Sequence, residues 1–153
     1  SPSLVMHQAR SILSALQEID PVHHSSYQAN YSTFIAEIVD LDRTLKAIFT
    51  GKRGLQFMVF HPSWGYFACT YGLKQIPIEI EGKHPKPARL KELIEYARDK
   101  GIRIIFVQPQ FSTKSAELIA KEIRGQVVFA DPLAENWMAA MREVAHKFKA
   151  ALR

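Results

Sequence analysis

Apolar residues at Val5, Ala9, Ile12, Leu13, Leu16 and Ile19 recur every three or four positions, the spacing of one helix face. Ser1 before Pro2 reads as an N-cap and first helical position, and Asp20-Pro21 ends the run. A second series, Tyr27, Tyr31, Phe34, Ile38, Leu41, Leu45 and Ile48, predicts a long helix that stops before Gly51. Together these make a helical hairpin. The pattern then changes. Residues 55–60 form a short apolar run between Gly54 and Pro62, read as a buried strand. Residues 64–71 predict a short helix capped by Gly72. Residues 75–81 alternate, with Pro77 marking an edge position. Residues 88–100 predict a helix closed by Gly101, with Leu90, Leu93, Ile94 and Ala97 on one face. Residues 102–107 read as a second buried strand, 113–123 as a helix capped by Gly125, and 126–130 as a strand. A last helix over 136–152 carries Trp137, Met141, Val144 and Phe148 in register.

From residue 55 the order is β-α-β-α-β-α-β-α. Such alternation predicts an α/β fold: a helical hairpin followed by a four-stranded, mainly parallel sheet with helices on both faces. The division falls between residues 1–53, the helix pair, and 54–153, the α/β lobe, read as one structural unit. The chain has 153 residues, 47% hydrophobic and 23% charged, which suits a packed domain and excludes disorder. No apolar run approaches the roughly 18–20 residues that cross a bilayer. The single cysteine, Cys69, cannot close an intrachain disulfide and has no Cys or His at zinc spacing, so it reads as a buried packing thiol. The net charge is +5, yet basic and acidic residues interleave, which favours solvated surface over a nucleic-acid groove.

In open parallel sheets, ligands bind at the carboxyl ends of the strands. His61-Pro62-Ser63-Trp64 follows the first strand, Gln108-Pro109-Gln110-Phe111 the third, and Asp131-Pro132-Leu133 the fourth. His61 and Asp131 should therefore share one rim. An imidazole and a carboxylate there can ligate a divalent metal or form a catalytic pair. The commoner roles are a satisfied loop histidine and a turn-initiating aspartate. His23-His24 cannot share one helix face, His84 sits in a solvated Lys/Pro loop, and His7 and His146 lie among polar neighbours. Glycine-rich phosphate loops and a Gly-x-Ser-x-Gly elbow are absent from the sequence. Tyr66 and Phe67 read as core rather than as an RNA stacking platform.

The run Phe57-Met58-Val59-Phe60-His61-Pro62-Ser63-Trp64-Gly65-Tyr66-Phe67, with Tyr71-Gly72-Leu73 behind it, resembles a signature of a known family. That family is the metal-binding subunits of ABC zinc and manganese uptake transporters, the cluster A-I solute-binding proteins. Ile76-Pro77-Ile78-Glu79-Ile80-Glu81-Gly82-Lys83, Gln108-Pro109-Gln110-Phe111 and Val128-Phe129-Ala130-Asp131-Pro132-Leu133 resemble further family motifs in the same order. Ser1-Pro2 resembles the start of the family's long interdomain helix. The resemblance covers essentially the whole chain and implies a carboxyl-terminal lobe of a longer, two-lobed protein.

In such proteins two α/β lobes flank one metal, and each lobe contributes two ligand positions. The resemblance makes His61 the third ligand and Asp131 the fourth, with two histidines supplied by the amino-terminal lobe and its edge. It also implies that Trp64, Tyr66 and Phe67 pack around the site. Gln108 stands where a glutamate is often found, so a hydrogen bond behind the ligands is in question there. Manganese members usually carry a carboxylate where His61 stands, and imidazole suits zinc better, so Zn2+ is expected ahead of Mn2+. The implied protein is a receptor, not an enzyme, exported to the periplasmic or extracellular face of the cytoplasmic membrane. Its partners would be a membrane permease and its own amino-terminal lobe, with no nucleic acid. Exposed interlobe surface would favour self-association of the isolated lobe. The rival readings are a metal- or His/Asp-dependent hydrolase and a basic nucleic-acid-binding module.

Overall fold

Pro2 opens helix α1 (Pro2–Ile19), where its missing N–H leaves no intrahelical bond unmade. Ser1 occupies the N-cap, but its hydroxyl meets Ser3 Oγ at 3.0 Å instead of capping a backbone N–H. A 3-10 turn (Pro21–His23) leads into α2 (His24–Phe49). The computed structural model describes residues 1–80 and 82–151; Glu81, in the alternating segment, and Leu152, at the end of the last predicted helix, lie outside them. Among the described residues, no helix is long and apolar enough to cross a membrane.

The chain divides into two compact units, Ser1–Ile48 and the part from Phe49 onward. The sequence suggests one structural unit with an internal boundary after residue 53; the structure makes the break at Phe49. The reason is packing. The Phe49 ring meets Phe67 edge-on at 5.9 Å and Phe148 at 5.1 Å, so it belongs to the lobe.

The lobe comprises β1 (Gln56–Val59), α3 (Gly65–Thr70), β2 (Lys74–Pro77), α4 (Pro87–Asp99), β3 (Ile104–Val107), α5 (Lys114–Glu122), β4 (Gln126–Phe129) and α6 (Trp137–Ala151). The strands lie in the order β2-β1-β3-β4, and each pairing is parallel. Pro77 closes β2, an edge strand, where a missing N–H is tolerated. The strand order reverses between β1 and β3, which opens a crevice beyond their carboxyl ends.

Period-two alternation sorts the strand side chains between two layers. Met58, Phe60, Ile105 and Val107 join Leu93 and Ala97 of α4 and Ala116 and Ile119 of α5 in one buried cluster. Phe57 and Phe106 face the other way and meet Phe148 of α6 at 5.1 and 4.7 Å. Helices thus cover both faces of the sheet.

Two helix ends show how backbone sterics choose residues. Gly101 adopts φ +63 beyond α4, which lets the Ile102 N–H reach back to the Ala97 carbonyl at 2.8 Å. Beyond α5 the left-handed residue is Arg124 (φ 52), not the expected cap Gly125. Gly125 is demanded by crowding instead: a Cβ there would lie 2.6 Å from the Arg103 carbonyl oxygen. Cys69 also departs from expectation. It is exposed, because Phe67 and Ala68 take the buried side of the short helix α3.

Candidate metal centre

His61, Gln108 and Asp131 all stand at the carboxyl ends of parallel strands. The Phe60 N–H still bonds the Phe106 carbonyl (2.9 Å), and the Ala130 N–H bonds the Val107 carbonyl (3.0 Å), so each chain leaves the sheet one residue later. β3 separates β1 from β4, which puts these two strands about 10 Å apart, two strand spacings.

The His61 ring is held on two sides, and its backbone from a third. Its Nδ1 lies 2.5 Å from Glu79 Oε1. Glu79 follows β2, and its N–H bonds the Phe60 carbonyl at 3.2 Å, which ties the segment beyond β2 to the end of β1. The His61 side chain is 42% exposed, whereas that of Glu79 is 4% exposed. Phe111 stacks on the imidazole, with ring centroids 5.1 Å apart and planes 19° from parallel. From beneath, Gln108 Nε2 donates to the His61 carbonyl (3.0 Å) and to Ser63 Oγ (2.9 Å). Glu79 Oε2 and Gln108 Oε1 are buried and have no hydrogen-bond partner among the described residues.

Asp131 is fixed differently. Its Oδ1 accepts the Leu133 N–H at 2.9 Å, the turn geometry expected of Asp before Pro. Gln110 Nε2 donates to both carboxylate oxygens at 3.3 Å. The rim therefore offers one imidazole backed by a buried carboxylate and one carboxylate steadied by an amide.

Two of the aromatic residues expected around the site are placed otherwise. Trp64 and Phe67 turn into the aromatic layer beneath the sheet: Trp64 meets Phe67 at 5.6 Å and Phe106 at 6.2 Å, and Phe67 stacks on Phe148 at 6.0 Å. Tyr66 is 77% exposed, so it is not core. Helical geometry explains the split, since Phe67 and Tyr71 share one face and Tyr66 lies about 100° away. The ring that covers His61 is Phe111, and the carboxylate behind it is Glu79. Both escaped sequence reasoning. Alternation assigns Glu79 to the solvent side, but β2 ends at Pro77 and the alternation ends with it.

The remaining histidines are exposed; His84 packs its ring 5.4 Å from Phe60, and its Nδ1 lies 3.4 Å from Ser115 Oγ. Among the described residues, no three His, Cys, Asp or Glu side chains group to hold a metal ion. An open apolar groove of about 510 Å³ lies between α1 and α2, lined by Val5, Ala9, Leu13, Tyr27, Tyr31 and Phe34 among others, and contains no rim residue.

The family profile ZnuA, described as "Zinc-uptake complex component A periplasmic", matches residues 1–151. The chain belongs to the ZnuA family. It is 30% identical over 125 residues to the high-affinity zinc uptake system protein ZnuA of Bacillus subtilis (strain 168), covering 80% of this chain and 39% of that protein. A ZnuA crystal structure superposes over 100% of this chain and 60% of its own, with a TM-score of 0.94 and 44% identity. A ZnuA variant lacking residues 138–173, with zinc bound, superposes over 99% of this chain and 58% of its own, with a TM-score of 0.90 and 44% identity. This chain therefore spans about 39–60% of the length of these ZnuA relatives.

Proposed function

We propose that this chain is half of a zinc receptor: it supplies two ligands to a Zn2+ ion held in a cleft between two lobes, for delivery to an ABC permease in the membrane. The carrying observation is the rim itself. His61 and Asp131 flank the crevice at the strand ends, on strands about 10 Å apart, a span that a His and an Asp side chain converging on one ion can bridge. Similarity to zinc-uptake proteins supports the choice of metal. So does the donor set, because one imidazole beside one carboxylate suits zinc, whereas manganese prefers oxygen donors.

A stable zinc site takes three or four protein ligands. Two donors make half of one, and the amino-terminal lobe of the parent protein supplies the rest. The same need favours a receptor over an enzyme, since a half-site has no complete constellation for turnover. Exposed Tyr66 and Leu133, beside the strand ends, form part of the surface that the other lobe covers, and in its absence that surface promotes self-association. The working location is the periplasmic or extracellular face of the cytoplasmic membrane. Binding requires a neutral imidazole and an ionised carboxylate, so acid releases the ion.

The test is zinc titration of the full-length parent protein against His61→Ala and Asp131→Ala variants, read by chelator competition. Loss of His61 should weaken zinc by more than about 100-fold, beyond the range seen for outer-sphere changes. Unchanged affinity in both variants would sink the proposal. A parallel competition with Mn2+ should leave zinc in the site.

A further inference from the structure

We propose that Glu79 is the positioning residue for the metal ligand: by accepting the Nδ1–H of His61, it fixes one tautomer of the ring and presents Nε2 to the ion. This rests on the zinc-receptor reading and adds to it the atom that binds and the residue that selects that atom.

Three observations carry it. First, the 2.5 Å contact takes Nδ1 and leaves Nε2 as the nitrogen available for coordination. An imidazole that donates one N–H to a carboxylate has its lone pair on the other nitrogen, and its basicity as a ligand rises. Second, burial is asymmetric. Glu79 is 4% exposed and His61 is 42% exposed, so the carboxylate sits behind the ring while the ring's other edge reaches the crevice. A buried carboxylate without a donor is expensive, and among the described residues the imidazole N–H is the side-chain donor that Glu79 meets. Third, the ring has little freedom to turn away. Phe111 stacks on its face, and Gln108 grips the backbone carbonyl of the same residue. Glu79 thus chooses the nitrogen, Phe111 steadies the plane, and Gln108 holds the backbone that carries the ring.

Glu79 would not itself touch the metal. Its Oε1 is engaged by the ring, and its Oε2 is buried. It acts through His61, which distinguishes it from Asp131 on the same rim.

The experiment uses the full-length protein labelled with ¹⁵N-histidine, observed by long-range ¹H–¹⁵N correlation at about pH 8.5, above the ordinary imidazole range. Metal-free wild type should show His61 with a protonated Nδ1 and an unprotonated Nε2. Added Zn2+ should shift Nε2. In Glu79→Ala the single tautomer should give way to a mixture, and zinc affinity should fall about 10- to 100-fold. Glu79→Gln retains a carbonyl oxygen to accept the same N–H, so it should keep the tautomer and most of the affinity. If Glu79→Ala fails to fold, Glu79→Asp takes its place: the shorter side chain withdraws the acceptor and should mix the tautomers in a folded protein. An Nε2–H tautomer in wild type, or zinc entering through Nδ1, overturns the role of Glu79 while the receptor reading stands. So does a tautomer indifferent to Glu79→Ala and Glu79→Asp. Zinc that leaves both His61 nitrogens unmoved overturns the receptor reading as well.

Discussion

Phe111 lies flat against the imidazole of His61, with planes 19° from parallel and centroids 5.1 Å apart. The same ring tilts against Phe60 at 5.6 Å, so it bridges the apolar cluster over α4 and α5 and the exposed end of β1. A loop residue after β3 thereby stiffens a loop residue after β1. Stacked ring pairs are worth about 0.5–1.5 kcal/mol beyond their buried area. Phe111→Ala in the full-length protein should therefore weaken zinc by roughly 2- to 10-fold, read by chelator competition. Phe111→Leu, which keeps apolar bulk but not the flat face, should restore stability more than affinity. Equal zinc affinity in all three proteins would remove the ring from any role in holding His61.

Gln108 is 2% exposed, and its Nε2 joins two parts of one loop, the His61 carbonyl and Ser63 Oγ. The glutamine is thus a splint for the segment that carries His61. Gln108→Ala leaves the His61 carbonyl and the Ser63 hydroxyl without this donor, in a half-buried setting. The His61 carbonyl keeps the Ser63 N–H at 2.8 Å, so the expected loss of stability is about 0.5–1.5 kcal/mol, the usual net worth of a hydrogen bond. Thermal unfolding of the chain measures it. A melting temperature within error of wild type would mean that water replaces the amide without loss.

Much of this was legible because each strong signal had one physical cause. Pro2, Gly72, Gly101 and the short apolar runs of β1 and β3 act locally, and the structure honours them within a residue or two. The rim positions of His61 and Asp131 followed from the alternation of strands and helices, which implies parallel pairing. What surrounds them did not follow, because it is set by tertiary packing. Glu79 is a polar residue that alternation sends to solvent, yet it is buried. Tyr66 and Phe67 are adjacent aromatics of equal hydrophobic promise, and only helix phase decides which goes inside. Cys69 and Gly125 were misread for the same kind of reason: the face of a six-residue helix and the closeness of the Arg103 carbonyl are properties of the folded chain.

Gly125 tests that last point directly. A methyl group there would sit 2.6 Å from the Arg103 carbonyl oxygen and 3.0 Å from Ile123 Cγ1. The Gln126 N–H bonds that same carbonyl at 2.9 Å, so the oxygen cannot withdraw without loosening the β3–β4 pairing. Gly125→Ala should destabilise the chain by about 1–3 kcal/mol, the range for overpacking. Gly51→Ala is a useful contrast. It has no atom within 4 Å of the added methyl but has φ +72, so its penalty is conformational alone. Denaturant unfolding of both variants should find the Gly125 change the larger. The reverse order would mean that β4 shifts to make room.

The turn between α1 and α2 carries a pH dependence of its own. Asp20 Oδ2 accepts hydrogen bonds from Tyr27 Oη at 2.8 Å and from His23 Nδ1 at 2.7 Å. The Tyr27 bond, then the His23 bond, hold the Asp20 carboxyl below its ordinary range, and the same bond pushes the Tyr27 phenol up. A carboxyl with a depressed folded-state pKa binds its proton more weakly in the folded chain than in the unfolded one. Its contribution to stability is therefore present above the unfolded aspartate range and is lost as pH falls through the lower, folded value. Tyr27 works in the opposite sense: its contribution is intact below the ordinary tyrosine range and fades as pH rises through the raised value. Asp20→Asn should lower the melting temperature at neutral pH, and the gap to wild type should close in acid, below the ordinary aspartate range. Tyr27→Phe should reproduce part of the neutral-pH loss, and in that variant the acid dependence of the turn should shrink. Thermal melts of the three proteins from about pH 7 down to about pH 2 decide it. A gap that stays constant across that range would show that Asp20 acts through its shape in the turn rather than through its charge.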